Sequence, residues 1–206
     1  MKKNIVIFAS GTGSNFINIY NKTKSNAING RVRLLVSNNP SSGAVEFAIN
    51  NKIDFFIYNK TRFPYDQNSS ELIQKINSYS ADLILLAGYM KKISHAFIDH
   101  FKNRIMNIHP SLLPRYGGKG CYGIKVHEMA YKNNDSETGA TVHFVDYNYD
   151  SGPILLQHKL KIRKGENPNI ISKKVLEIEH KIYYQAVKLF CSDKILWKNN
   201  KPLIKE

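Results

Sequence analysis

The run Asp82-Leu83-Ile84-Leu85-Leu86-Ala87-Gly88 limits the possible folds of this chain more than any other stretch. A strand with one wet face alternates apolar and polar side chains. An unbroken apolar run is expected of a strand whose sheet is covered on both faces. Ile5-Val6-Ile7-Phe8-Ala9 has the same character. Between such runs the apolar spacing becomes helical. Residues 4–9 read as a strand, followed by a glycine-containing turn and a helix over about 14–25. Arg33 to Ser37 is a second strand, followed by a helix near 42–51. Asp54 to Tyr58 is a third strand, and Leu72, Ile73 and Ile76 mark a helix over 69–79. Strands alternating with helices predict a doubly wound α/β core with a mostly parallel sheet.

Arg104 to Ile108 reads as a further short strand, after which the pattern changes. A helix is predicted over 123–132. Ala140 to Val145 and Ile154 to Leu160 read as an antiparallel pair at the sheet's edge, joined by Asp146–Pro153. A long amphipathic helix over about 168–190 and a small hairpin over 195–204 complete the chain. With 206 residues, 42% of them hydrophobic, and no evident linker or repeat, one domain is expected.

No apolar run approaches the roughly 20 residues needed to span a bilayer. The run at Ile5–Ala9 is too short for the core of a secretion signal. Cys121 and Cys191 lie far apart without metal-ligand spacing, so a reduced, cytoplasmic protein is expected. The formal charge of +14 comes mainly from scattered lysines. Charge speaks to association rather than fold. With no basic run and no nucleic-acid motif, neither a specific nucleic-acid partner nor a membrane partner is expected.

Chemistry concentrates in Asn107-Ile108-His109-Pro110-Ser111-Leu112-Leu113-Pro114. In an extended segment, residues two apart point to one face, so Asn107 and His109 do so together. Ligands gather at the carboxyl ends of strands in open α/β sheets. An amide donor beside an imidazole suits acyl transfer: one stabilises an oxyanion while the other moves protons.

Ser10-Gly11-Thr12-Gly13-Ser14-Asn15 stands between a strand and a helix, where backbone N–H groups can hold an anion. Phe16 occupies the third glycine position of a dinucleotide turn, and Ser37-Asn38-Asn39 replaces the ribose-binding acid. A single phosphate fits what remains. Glycine used only for turn geometry is the plainer alternative.

Asp150-Ser151-Gly152-Pro153 is explained by turn formation, or by a carboxylate brought to His109. His143 suits either a buried histidine or a supporting role behind the reacting groups. The other histidines show no ligand spacing, so no metal is expected. Gly117-Gly118-Lys119-Gly120 predicts a mobile loop, and Glu179 an ordinary solvated acid.

Taken together, these motifs resemble the phosphoribosylglycinamide formyltransferase family nearly end to end. The likeness rests on the glycine turn, Leu86-Ala87-Gly88-Tyr89-Met90, the Asn107–Pro114 segment, Thr138–Val145 and Asp150–Gln157. It implies a Rossmann-like formyltransferase fold with an antiparallel portion late in the chain. It implies formyl transfer from the co-substrate 10-formyltetrahydrofolate to the amine of phosphoribosylglycinamide, in purine biosynthesis, without a covalent enzyme intermediate. Asn107, His109 and Asp150 match the family's catalytic amide, imidazole and carboxylate. Thr12, Gly13, Ser14, Asn15 and Glu179 match its acceptor-binding residues. Met90, Lys91, Lys92 and Ile93, with Asn107, match its folate-binding residues.

The resemblance further implies small-molecule substrates only, no metal, and a monomer or homodimer. It implies a single domain over 1–206, with the acceptor phosphate in the N-terminal half and folate binding and catalysis in the C-terminal half. Methionyl-tRNA formyltransferase and formyltetrahydrofolate deformylase share the Asn-x-His chemistry but carry an extra domain not expected here.

Overall fold

The computed structural model describes residues 1–205, which divide into two compact units, one from Met1 to Asn107 and one from Ile108 onward. In the first, β1 (Lys3–Phe8), β2 (Gly30–Ser37), β3 (Phe55–Ile57), β4 (Leu83–Leu86) and the start of β5 (Ile105–His109, whose last two residues belong to the second unit) alternate with helices. The helices are α1 (Ser14–Lys24), α2 (Gly43–Asn50), α3 (Ser70–Asn77) and α4 (His95–His100). The strand order is β3-β2-β1-β4-β5, and every neighbouring pair is parallel.

The apolar runs are the centre of this sheet. Ile5 to Phe8 and Leu83 to Leu85 are fully buried or nearly so, as strands covered on both faces require. α1 turns Phe16 and Ile19 inward, α2 turns Ala44, Val45 and Ala48 inward, and α3 turns Leu72 and Ile76 inward. Spacings of three and four place each set on one helical face. Ser42 caps α2 by accepting from the Val45 N–H at 3.3 Å.

The sequence reading missed α4. This short helix buries only Phe97 and Ile98, with polar His95, Asp99 and His100 around them. Two inward residues leave no period to detect. Its start is set by the Ser94 hydroxyl, which accepts from the Phe97 N–H at 3.2 Å. β5 also runs through His109 rather than stopping at Ile108. The strand therefore carries both Asn107 and His109.

The second unit contains α5 (Ile124–Lys132), β6 (Glu137–Phe144), β7 (Ile154–Lys161), α6 (Pro168–Cys191), β8 (Ile195–Lys198) and β9 (Lys201–Ile204). β6 and β7 are antiparallel, as are β8 and β9. The register of β6 against β7 shifts between Val142 and His143. Such an irregularity re-aims the side chain that follows it.

α6 starts where Asn167 accepts from the Ile170 N–H at 3.0 Å and Pro168 takes the first turn. Its buried stripe is Ile171, Val175, Ile182, Tyr183, Ala186, Val187 and Cys191. Trp197 of β8 packs edge-on against Phe144 of β6, with ring centroids 4.7 Å apart. No helix among the described residues is long and apolar enough to cross a membrane.

Candidate active site

In the second unit, three titratable side chains from separate places in the chain meet. His109 ends β5, His143 ends the β6 register shift, and Asp150 lies in the β6–β7 connection. His109 Nδ1 is 3.5 Å from Asp150 Oδ1, and His143 Nε2 is 3.7 Å from the same oxygen. His109 is 4% exposed and His143 2%. His143 Nδ1 donates to the Phe144 carbonyl at 2.9 Å, so Nε2 is the nitrogen turned toward the carboxylate. The turn that delivers Asp150 is tight: a Cβ on Gly152 would stand 1.9 Å from the Phe144 carbonyl oxygen. Asp150 itself has φ +55, in the left-handed region that Asp and Asn tolerate better than most residues.

The glycine-rich segment expected to be mobile is tied into this cluster. The Gly118 N–H donates to Asp150 Oδ2 at 2.9 Å, and His109 Nε2 donates to the Tyr116 carbonyl at 2.8 Å. Ser111 Oγ donates to the Arg115 carbonyl at 2.5 Å, which closes the turn beneath them. Sequence reasoning missed Tyr116 and Gly118 because both act through backbone atoms. The only signal was the run of glycines that lets the chain pass so close.

Burial and pairing compete in setting charge here. Burial pushes the Asp150 carboxyl up, but its hydrogen bond to His143, the charge of His109 and the Gly118 N–H outweigh that. The net result holds it below the usual carboxylate range, as a carboxylate. For His109, burial dominates and lowers the pKa, against the upward pull of Asp150 and the Tyr116 carbonyl. Nearby on α5, His127 is 2% exposed with Nδ1 unpartnered. Burial, then the charge of His109, lowers its pKa to about 4.

The first unit presents a different kind of surface. Gly11 and Thr12 are exposed and Gly13 has φ +77 at the N-terminus of α1, where no side chain caps the helix. A Cβ on Gly13 would lie 2.8 Å from the Ala44 Cβ, whereas one on Gly11 would meet nothing within 4 Å. Gly13 is therefore required by the turn and by packing on α2, while Gly11 leaves open space above the helix end.

Asn15 is buried and Ser14 half-buried. Ser10 Oγ donates to Asn38 Oδ1 and accepts from the Met90 N–H at 2.9 Å, joining the ends of β1, β2 and β4. The Met90–Ile93 segment follows directly. Met90, Lys91 and Lys92 are exposed and Ile93 is buried. This segment lies in the first unit, so the halves drawn in the sequence reading do not follow the units: the expected folate segment and the expected phosphate turn share one.

Asn107, half-buried on β5, shares a strand face with His109 by the two-residue period. Glu179 is half-buried on α6, four residues from both Val175 and Tyr183 on the buried stripe. A carboxylate at a position where the helix otherwise turns apolar groups inward is not the freely solvated acid of the sequence reading. Among the described residues, no three His, Cys, Asp or Glu side chains are arranged to hold a metal ion.

Against this geometry, residues 3–187 match the formyl transferase family. The chain is 41% identical over 206 residues to the chloroplastic phosphoribosylglycinamide formyltransferase of Arabidopsis thaliana, covering 98% of this chain and 70% of that one. It is 36% identical over 201 residues to the phosphoribosylglycinamide formyltransferase of Escherichia coli, covering 96% and 91%. Its fold superposes on the crystal structure of glycinamide ribonucleotide transformylase 1 from Symbiobacterium toebii with a TM-score of 0.91. That match has 29% identity and covers 99% of this chain and 94% of the other.

Proposed function

This chain belongs to the phosphoribosylglycinamide formyltransferase family, and from that premise we propose how its own residues carry the reaction. The acceptor's glycinamide nitrogen attacks the formyl carbon of 10-formyltetrahydrofolate. The carbonyl oxygen becomes an oxyanion, and a tetrahedral intermediate forms between the two substrates. The bond from that carbon to the folate nitrogen then breaks. The acceptor nitrogen loses one proton and the folate nitrogen gains one. No enzyme atom is acylated.

The observation that carries this reading is the buried His109–Asp150 pair. A carboxylate held ionised beside an imidazole favours the imidazolium whenever a proton must be taken up, and orients the ring. The Asn107 amide, on the same strand face, is the assigned oxyanion donor. A single such donor is worth about 2.7–4 kcal/mol in the transition state. His143 supports the carboxylate at the same oxygen that faces His109.

Thr12, Gly13, Ser14 and Asn15 are assigned to the acceptor's phosphate, at the uncapped N-terminus of α1. Glu179 is assigned to the acceptor's sugar or glycinamide end. The backbone of Met90, Lys91, Lys92 and Ile93 is assigned to the folate head. The Met90 N–H is held by the Ser10 hydroxyl, which fixes where this segment leaves β4. Cys121 and Cys191 are not joined in a disulfide, and a reducing compartment, which we take to be the cytoplasm, suits both thiols.

The test is a three-way assay of the purified protein with 10-formyltetrahydrofolate. Formylation of phosphoribosylglycinamide should far exceed both formylation of tRNA and hydrolysis of the donor. Dominance of either of the others would overturn the acceptor assignment.

A further inference from the structure

We propose that Tyr116 is a positioning residue for His109: its phenol, anchored at the α5–β6 turn, holds its own backbone carbonyl against Nε2 and thereby decides which ring nitrogen exchanges its proton. The anchor has two parts. Tyr116 Oη donates to Asp135 Oδ2 at 2.7 Å and accepts from Asn133 Nδ2 at 2.8 Å. Asp135 is itself 3.8 Å from the Arg115 guanidinium. Tyr116 thus reaches out of the glycine-rich loop and grips the end of the neighbouring helix, while its carbonyl turns the other way, to His109 at 2.8 Å.

The backbone bears the mark of that grip. Tyr116 has φ +52, a conformation a bulky L residue keeps only when its surroundings impose it. It is followed at once by Gly117 and Gly118, whose freedom would let the carbonyl drift without an external tether.

The chemical consequence follows from what a carbonyl can do. It accepts hydrogen bonds and never donates one, and at 2.8 Å it is the closer acceptor, with Asp150 Oδ1 at 3.5 Å from Nδ1, so Nε2 is the nitrogen that keeps its proton when the ring is neutral. The nitrogen that titrates is then Nδ1, which faces the Asp150 carboxylate. The other charged or titratable groups around His109 are His143 on β6 and His127 on α5. Neither accepts from Nε2, so neither replaces the carbonyl. Burial, followed by the hydrogen bond to Asp135, raises the Tyr116 phenol pKa, which keeps it a donor.

This rests on His109 being the proton-handling group proposed above, so the test separates the two. Histidine-labelled protein without substrates is followed by nitrogen-15 NMR across pH, and formyl transfer is measured in parallel. The native protein should show His109 protonated at Nε2 throughout. Tyr116→Phe, which keeps ring and backbone but loses the anchor, should show a mixed tautomer. Its kcat should fall about tenfold, short of the roughly 10²–10⁴-fold of full acid–base loss. Both KM values should stay within about twofold. Asp135→Ala should behave alike without touching Tyr116, and Asp135→Asn, which retains an acceptor, should restore most of the native signature. Unchanged His109 resonances and an unchanged kcat–pH profile in either folded anchor variant would overturn the proposal, even if formyl transfer proceeds. A changed tautomer in a protein that transfers no formyl group would uphold the anchor and remove the function instead.

Discussion

The two units of the chain offer ligands in opposite ways. The first offers backbone: an uncapped helix end at Gly13–Asn15, an exposed Gly11, and an exposed segment from Met90 to Lys92. The second offers side chains: two histidines and an aspartate, nearly all buried, with two non-glycine residues at positive φ holding them in place. Backbone N–H groups at a helix end bind a fixed charge and change little during a reaction. Buried titratable groups bind weakly as such but respond strongly to a proton. Under the proposed function this puts phosphate and folate-head recognition in the first unit and proton movement in the second, with Glu179 as the second unit's contact to the acceptor, and the division is open to direct attack.

The largest effects should come from the second unit and appear in kcat. His109→Ala should cost about 10²–10⁴-fold in turnover with the fold intact. Asp150→Asn spares the backbone, because Asn also tolerates φ near +55, and removes the charge together with one of the two acceptor oxygens. It should cut kcat and lower the His109 pKa further, since Asp150 is the main group raising it. The double variant should cost far less than the product of the two losses, as expected when one residue acts through the other. Losses that multiply, or a rise in KM with kcat unchanged, would break the contrast between the units.

Next in size is a stability effect confined to the second unit. His127 is buried neutral, with its pKa near 4 against an ordinary 6.5. Between those values the unfolded chain takes up a proton that the folded chain refuses. The folded state therefore holds its full advantage above pH 6.5 and loses it as pH falls toward 4, by up to about 3 kcal/mol. Urea unfolding at pH 7 and at pH 4.5 should show that loss in the native protein and much less of it in His127→Met. Parallel losses in both would remove His127 as the cause.

The first unit should answer in KM. Gly11→Ala places a methyl group in open space above the helix end without forcing the backbone. It should raise the KM for phosphoribosylglycinamide by about tenfold, near 1.4 kcal/mol, leaving kcat and the folate KM alone. Gly13→Val would be a poor substitute, because it strains φ +77 and collides with Ala44 whether or not phosphate binds. If native protein binds the phosphorylated and dephosphorylated acceptors equally well, the phosphate assignment fails outright.

The smallest effect should come from Ser10→Ala. It removes the acceptor for the Met90 N–H and the donor to Asn38 at the junction of three strands. About 1 kcal/mol of stability should go, with a modest rise in the folate KM and no change in acceptor binding. A shift in acceptor KM alone would move this junction to the other substrate.

Much of the architecture could be read directly from the chain. The unbroken apolar runs at Ile5–Ala9 and Leu83–Ala87 became the buried strands β1 and β4, and the late antiparallel pair and terminal hairpin lie where the pattern placed them. Periodicity is a local property: each side chain's direction follows from its own strand or helix, so sequence alone determines which face is apolar. It also put Asn107 and His109 on one strand face, two residues apart. α4 escaped because two inward residues make no period. The run Gly117–Gly120 reads as merely mobile because the contacts made there and at Tyr116 to the histidine cluster use carbonyl and N–H groups, which no sequence distinguishes. Only the tertiary structure decided that Asp150 serves His109 as well as its own turn, and that His143 faces the same carboxylate. Those relations join residues far apart in the chain, and what fixes them is the register shift in β6, the close passage of Gly152 beneath Phe144 and the burial that sets each charge.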